Sequence, residues 1–122
     1  MKILVVDDSK AMRMIVVRTL RQAGFGRHPT SEAANGKEAL VKLSGSSFDV
    51  VLCDWNMPEM SGLELLKELR AKGSNITFGF VTSEGTPPMS QQAHDAGASF
   101  LIAKPFTVES FEAVLTPILE AA

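Results

Sequence analysis

The chain contains no tyrosine, one tryptophan and a single cysteine, Cys53. One cysteine cannot close an intrachain disulfide, which fits a reducing compartment. Nothing in the sequence suggests a paired catalytic histidine, so Cys53 is expected to be a small core residue. His28 and His94 are expected to face solvent. No stretch approaches the roughly 18 consecutive apolar residues of a membrane span, and Met1 leads straight into the first strand candidate. Neither a transmembrane helix nor a signal peptide is expected, and the expected location is cytoplasmic. No sign of charge prevails: 12 Lys and Arg face 14 Asp and Glu, for a net −2. This argues against a general nucleic-acid binder, which needs a basic patch. Repeats, low-complexity segments and linkers are absent. The 122 residues are expected to form one domain, 1–122, without an appended output domain. A monomer is expected, whose output acts through the domain's own surface.

Against these absences stand four short apolar runs, each ending on a polar residue. Ile3–Val6 ends at Asp7-Asp8, Val50–Cys53 at Asp54, Phe78–Val81 at Thr82, and Phe100–Ala103 at Lys104-Pro105. Short apolar runs bounded by turn signals read as buried strands. Phe48–Cys53 and Ile76–Val81 are the full extents assigned to the third and fourth strands. A weaker strand lies at Thr30–Ala33. Pro29 before it marks an edge position, because proline cannot donate to a central ladder.

Helical patterns alternate with the strands. Ser9 caps a helix with Met12, Ile15, Val16, Leu20 and Ala23 at helical spacing, and Gly24 stops it. Asn35-Gly36 opens a second helix through about Leu43. Gly62–Ala71 is a third. Thr86-Pro87-Pro88 delays a fourth, expected at Met89–Ala96. Thr107 caps a fifth, which Pro117 must kink, end or fray.

Strict β-α alternation implies an α/β fold: a doubly wound, five-stranded parallel sheet with helices on both faces. With the second strand at an edge, the order 2-1-3-4-5 follows naturally. The strand carboxyl ends then share one edge, where open α/β sheets bind ligands. Asp7, Asp8 and Asp54 would crowd together there and repel unless a cation or protons intervened. Mg²⁺ suits such a site, being oxygen-loving and partial to carboxylates plus phosphate. Lys104 and Thr82 would supply an ammonium and a hydroxyl to a phosphoryl group.

Five stretches at these spacings resemble the response-regulator receiver family, most of all its single-domain chemotaxis members. They are Val5-Val6-Asp7-Asp8-Ser9, Cys53-Asp54-Trp55-Asn56-Met57-Pro58, Ser61-Gly62-Leu63-Glu64-Leu65-Leu66, Val81-Thr82-Ser83-Glu84 and Lys104-Pro105-Phe106-Thr107. The order 2-1-3-4-5 is itself a property of such flavodoxin-like sheets, so it is not independent of the resemblance.

The resemblance implies a phosphorylation-dependent switch in two-component, phosphorelay signalling. Asp54 would be the phosphoacceptor. Asp8, Asp54 and the backbone carbonyl of Asn56 would bind Mg²⁺ directly, and Asp7 through water. Thr82 and Lys104 would hold phosphoryl oxygens. Asn56 and Glu84 would tune loss of the group, and the bond before Pro105 would be cis. A histidine kinase would be the donor. A downstream protein, the flagellar motor switch in the chemotaxis case, would read the face of helix 4, strand 5 and helix 5. A phosphatase would be a further partner. The domain would catalyse its own phosphorylation and dephosphorylation without being a conventional enzyme. Trp55 is expected to be a partly exposed neighbour of Asp54.

One position departs from the pattern. The family usually has an aromatic residue three positions before the lysine, where this chain has Leu101. Adjacent Phe100 should point to the opposite sheet face. Coupling to the output face is therefore expected to differ. A stand-alone relay or phosphate-sink receiver remains an alternative. So does an Mg²⁺-dependent aspartyl-phosphate phosphatase, although Asn56 stands where such enzymes carry a second carboxylate. A flavodoxin-like cofactor binder is disfavoured by the acidic segment Asp7-Asp8-Ser9-Lys10. A receiver-like module that is never phosphorylated is disfavoured by the complete acceptor, acidic and lysine set.

Overall fold

A computed structural model describes residues 1–83 and 85–120. Five strands, β1 (Ile3–Val6), β2 (Thr30–Ala33), β3 (Val50–Cys53), β4 (Thr77–Thr82) and β5 (Phe100–Ala103), alternate with five helices. The helices are α1 (Lys10–Leu20), α2 (Gly36–Gly45), α3 (Gly62–Ala71), α4 (Pro87–Asp95) and α5 (Val108–Leu119). All pairings are parallel and the order is β2-β1-β3-β4-β5.

Alternation along the strands divides the core in two. Leu4, Val6, Val51, Cys53, Phe78 and Phe80 join Leu65, Leu66 and Leu69 of α3 on one face. Ile3, Val5, Val50, Leu52, Val81 and Ile102 join Val16 and Leu20 of α1 and Phe111 and Leu115 of α5 on the other. Strands buried on both faces lose the polar alternation of a half-exposed sheet, which is why they read as continuous apolar runs.

Helix starts are fixed by side-chain caps. Ser9, Asn35, Ser61, Thr86 and Thr107 each accept a hydrogen bond from a first-turn N–H. Each cap satisfies a donor that has no partner within the helix.

Several expectations need correction. Pro87 and Pro88 begin α4 instead of delaying it, because the first helical positions have no N–H to spend and suit the fixed proline φ. Ile15 shares the helical spacing of Val16 and Leu20 but is 41% exposed. The buried stripe of α1 is instead Val16, Thr19 and Leu20. After Leu20 the chain makes a wider turn over Arg21–Phe25, with Gly24 at φ +94°. His28 does not face solvent: it is buried, and its Nδ1 lies 2.8 Å from the amine of Met1. Trp55 is buried as well, its ring 4.7 Å from that of Phe80. α5 continues through Pro117 to Leu119, placing the proline in its last turn.

Candidate functional site

β1 and β3 are adjacent with Val6 opposite Cys53, so their C-terminal exits emerge side by side. The ladder extends one step further: the Asp54 N–H donates to the Val6 carbonyl at 2.9 Å, and the Asp7 N–H to the Ala33 carbonyl at 3.1 Å. These bonds deliver Asp7, Asp8 and Asp54 to one place. One carboxylate oxygen from each lies within 4.8 Å of the others.

Lys104 arrives from the far side of the sheet. β4 pairs with β5 so that Thr82 faces Ala103, and the Lys104 N–H donates to the Thr82 carbonyl at 2.8 Å. The Lys104 ammonium lies 3.3 Å from Asp7 Oδ2 and 3.5 Å from Asp54 Oδ1. The three side chains are largely withdrawn from water, with 16%, 6% and 12% exposure respectively. Asp8 is exposed. The centre thus sets three carboxylates against one ammonium.

The remaining polar groups hold these carboxylates in position. Asp7 Oδ1 accepts from the Ser9 N–H at 2.9 Å, and Asp54 Oδ1 from the Trp55 N–H at 2.9 Å. Burial, followed by the facing Asp7 carboxylate, raises the pKa of Asp54 above the usual carboxylate range, and Lys104 opposes this only in part. Withdrawal from water disfavours the charged form. The same site explains an inert thiol: burial, then Asp54 and Asp7, push Cys53 well above its ordinary value.

Thr82 is fully buried at the end of β4. Asn56 is exposed in the loop after Trp55. The Lys104–Pro105 peptide bond is cis. Glu84 lies outside the described residues. Leu101 packs with the core on the α3 side, whereas Phe100 packs on the α5 side, as strand alternation requires.

Two residues important to this centre escaped sequence reasoning. A Cβ on Gly62 would sit 2.3 Å from the Asp54 carbonyl oxygen, so α3 can start against the acidic loop only without a side chain there. Arg13 donates to the Asp7 carbonyl at 2.7 Å and pairs with Glu32 at 2.9 Å. No sequence motif singled Arg13 out. A surface pocket of about 330 Å³ lined by Leu40, Phe48, Leu69 and Ile76 lies at the opposite end of the sheet from this edge.

Such an edge offers hard oxygen donors for a divalent cation, with an ammonium beside them for a second anion. The family profile described as "Response regulator receiver domain" matches residues 3–116. The chain belongs to that family. This receiver is 41% identical to "Chemotaxis protein CheY-3" of Vibrio cholerae serotype O1, over 98% of this chain and 92% of the relative. It is 38% identical to "Chemotaxis protein CheY" of Pseudomonas aeruginosa, over 98% and 97%. Among solved structures, Vibrio cholerae chemotaxis protein CheY4 superposes with a TM-score of 0.85 at 36% identity, covering 97% of this chain and 98% of that one. A Francisella response regulator receiver domain gives a TM-score of 0.86 at 26% identity, covering 98% and 96%. The receiver is therefore of the type found in chemotaxis response regulators, and its acidic cluster fits a Mg²⁺ site. No helix among the described residues is long and apolar enough to cross a membrane.

Proposed function

We propose that this receiver is a cytoplasmic switch operated by phosphorylation of Asp54. The carrying observation is the convergence of Asp7, Asp8, Asp54 and Lys104 at one sheet edge. A histidine kinase supplies the phosphoryl group. An Asp54 carboxylate oxygen forms the bond to phosphorus as the bond to the donor nitrogen breaks, and the donor imidazole leaves with the electron pair.

Asp8, Asp54 and the Asn56 carbonyl would hold Mg²⁺, with Asp7 acting through water. When bound, the cation would supply neutralisation of negative charge on the phosphoryl oxygens. The residues of the chain do the positioning on which phosphoryl transfer depends. Trp55 N–H fixes the Asp54 carboxylate. Lys104 exchanges its carboxylate partners for a phosphoryl oxygen. Thr82 contributes its hydroxyl. Asn56 and Glu84 govern access of hydrolytic water. Phosphorylation then shifts an existing equilibrium by favouring the arrangement with Thr82 and Lys104 drawn to the phosphoryl group. The face of α4, β5 and α5 reports that shift to a downstream protein, the flagellar motor switch if the pathway is chemotaxis.

Leu101 supports a second reading, a relay or phosphate sink, because the usual aromatic is missing from the output face. A partner-binding assay with Leu101→Tyr separates the two: a gain in phosphate-dependent affinity indicates a switch face weakened at this position. Unchanged binding removes Leu101 from the argument.

The test of the primary reading is Trp55 fluorescence during titration with Mg²⁺ and then beryllofluoride. A saturable, Mg²⁺-dependent change that Asp54→Asn abolishes is expected. Turnover of ordinary phosphate monoesters would favour a phosphatase instead.

A further inference from the structure

We propose that Arg13 is a positioning residue for the acidic centre, acting through the peptide that joins Asp7 to Asp8. The inference rests on the Mg²⁺ reading of that centre. Arg13 lies in the first turn of α1, yet only 14% of its side chain is exposed. Its guanidinium makes two directed contacts. Nη1 donates to the Asp7 carbonyl at 2.7 Å, and Nε donates to Glu32 Oε1 at 2.9 Å.

The first contact has a specific consequence. A peptide unit is planar, so fixing the Asp7 carbonyl fixes the plane from which Asp8 departs. The other polar groups of Asp7 are already committed. Its N–H donates to Ala33, Oδ1 accepts from Ser9, and Oδ2 faces Lys104. Arg13 supplies the remaining restraint, and it acts on Asp8, the exposed member of the cluster. Glu32 in turn orients Arg13. It sits on edge strand β2, in register with Val5, and its own carbonyl accepts from Lys42. A chain of contacts thus runs from the sheet edge through Glu32 and Arg13 to the Asp7–Asp8 peptide. The rigid planar fork aims two separate nitrogens, Nη1 and Nε, at the two partners, whereas the single nitrogen of lysine lacks that fixed geometry.

Charge and geometry make opposite predictions here. As a bare positive charge near the cluster, Arg13 would repel a divalent cation, and its removal would tighten binding. As a positioning group, its removal loosens Asp8 and weakens binding. The test is Mg²⁺ titration of Trp55 fluorescence in wild type, Arg13→Gln, Arg13→Lys and Glu32→Gln, with urea unfolding of each in parallel. Arg13→Gln should weaken Mg²⁺ affinity about tenfold, the scale typical of groups that orient metal ligands. Arg13→Lys should also weaken it, despite retaining the charge. Glu32→Gln should lose less, and the double variant should match Arg13→Gln alone, since both act along one path.

Equal or tighter Mg²⁺ binding in Arg13→Gln, with only the unfolding midpoint moved, overturns the proposal. If that variant does not fold, Arg13→Lys decides: wild-type affinity overturns it. Absence of Mg²⁺ binding in wild type would instead refute the reading of the centre, and this inference with it.

Discussion

Lys104→Met removes the ammonium that pairs with the acidic centre while keeping most of the side-chain length. The Lys104 ammonium lies 3.3 Å from Asp7 and 3.5 Å from Asp54. At an effective dielectric of about 20, each contact carries roughly 5 kcal/mol of gross Coulomb attraction. Most of this is offset by the cost of withdrawing the charges from water, and partial exposure screens the remainder. Breaking fully buried pairs costs about 3–5 kcal/mol. A centre at 16%, 6% and 12% exposure is open at one side, so the expected loss is smaller, about 1–3 kcal/mol without Mg²⁺. The variant should also bind Mg²⁺ more tightly, because the carboxylates no longer have to release an ammonium. A difference of about 1.4 kcal/mol corresponds to a factor of ten. Urea unfolding with and without Mg²⁺, followed by Trp55 fluorescence, measures both effects. Saturating Mg²⁺ should restore much of the lost stability, yet the response to beryllofluoride should be weak. Unchanged stability without Mg²⁺ together with unchanged Mg²⁺ affinity would show that Lys104 does not neutralise this centre, and would refute the reasoning.

Other perturbations probe separate links. Asp54→Asn should stabilise the fold in Mg²⁺-free buffer at neutral pH. The raised Asp54 pKa means that the folded state holds this proton longer than the unfolded chain, so wild-type stability falls as pH rises from the ordinary carboxylate value through the raised one. The advantage of the variant should therefore grow across that window and then level off; an advantage largest at low pH would contradict the assignment. Gly79→Val should cost about 1–3 kcal/mol by overpacking, because a Cβ there would meet the Phe100 ring at 2.0 Å. Adding Phe100→Leu should recover part of that loss in urea unfolding, and strict additivity would refute the contact. Gly62→Ala should lower both the unfolding midpoint and Mg²⁺ affinity, since its Cβ would collide with the Asp54 carbonyl. A loss of stability with intact Mg²⁺ affinity would mean that the acidic loop is placed independently of α3.

Particular elements show why much of this was legible in the sequence. Ile3–Val6 and Val50–Cys53 are buried on both faces, so they appear as apolar runs, and the polar residues that end them lie at the edge where the site forms. Pro29 reported the edge strand because β2 needs no central ladder donor there; its carbonyl instead accepts from Ile3. What escaped depends on long-range packing. Arg13 and Glu32 are separated by α1 and the turn after it, and no local pattern announces their pairing. Ile15 matched helical spacing, yet the buried face of α1 is made by Val16, Thr19 and Leu20. His28 looked like a solvated loop residue because its cover comes from packing that local sequence does not report. The prolines opening α4 were misread because the same residue that breaks a helix interior favours its first positions.

The central claim is that Asp54 accepts a phosphoryl group with the help of this centre. Incubation with a small acyl phosphate and Mg²⁺, followed by intact-mass and peptide mapping under conditions that preserve acyl phosphates, tests it directly. One phosphoryl group is expected, located on Asp54, dependent on Mg²⁺ and absent from Asp54→Asn. No uptake by wild type, or undiminished uptake by Asp54→Asn, would contradict it.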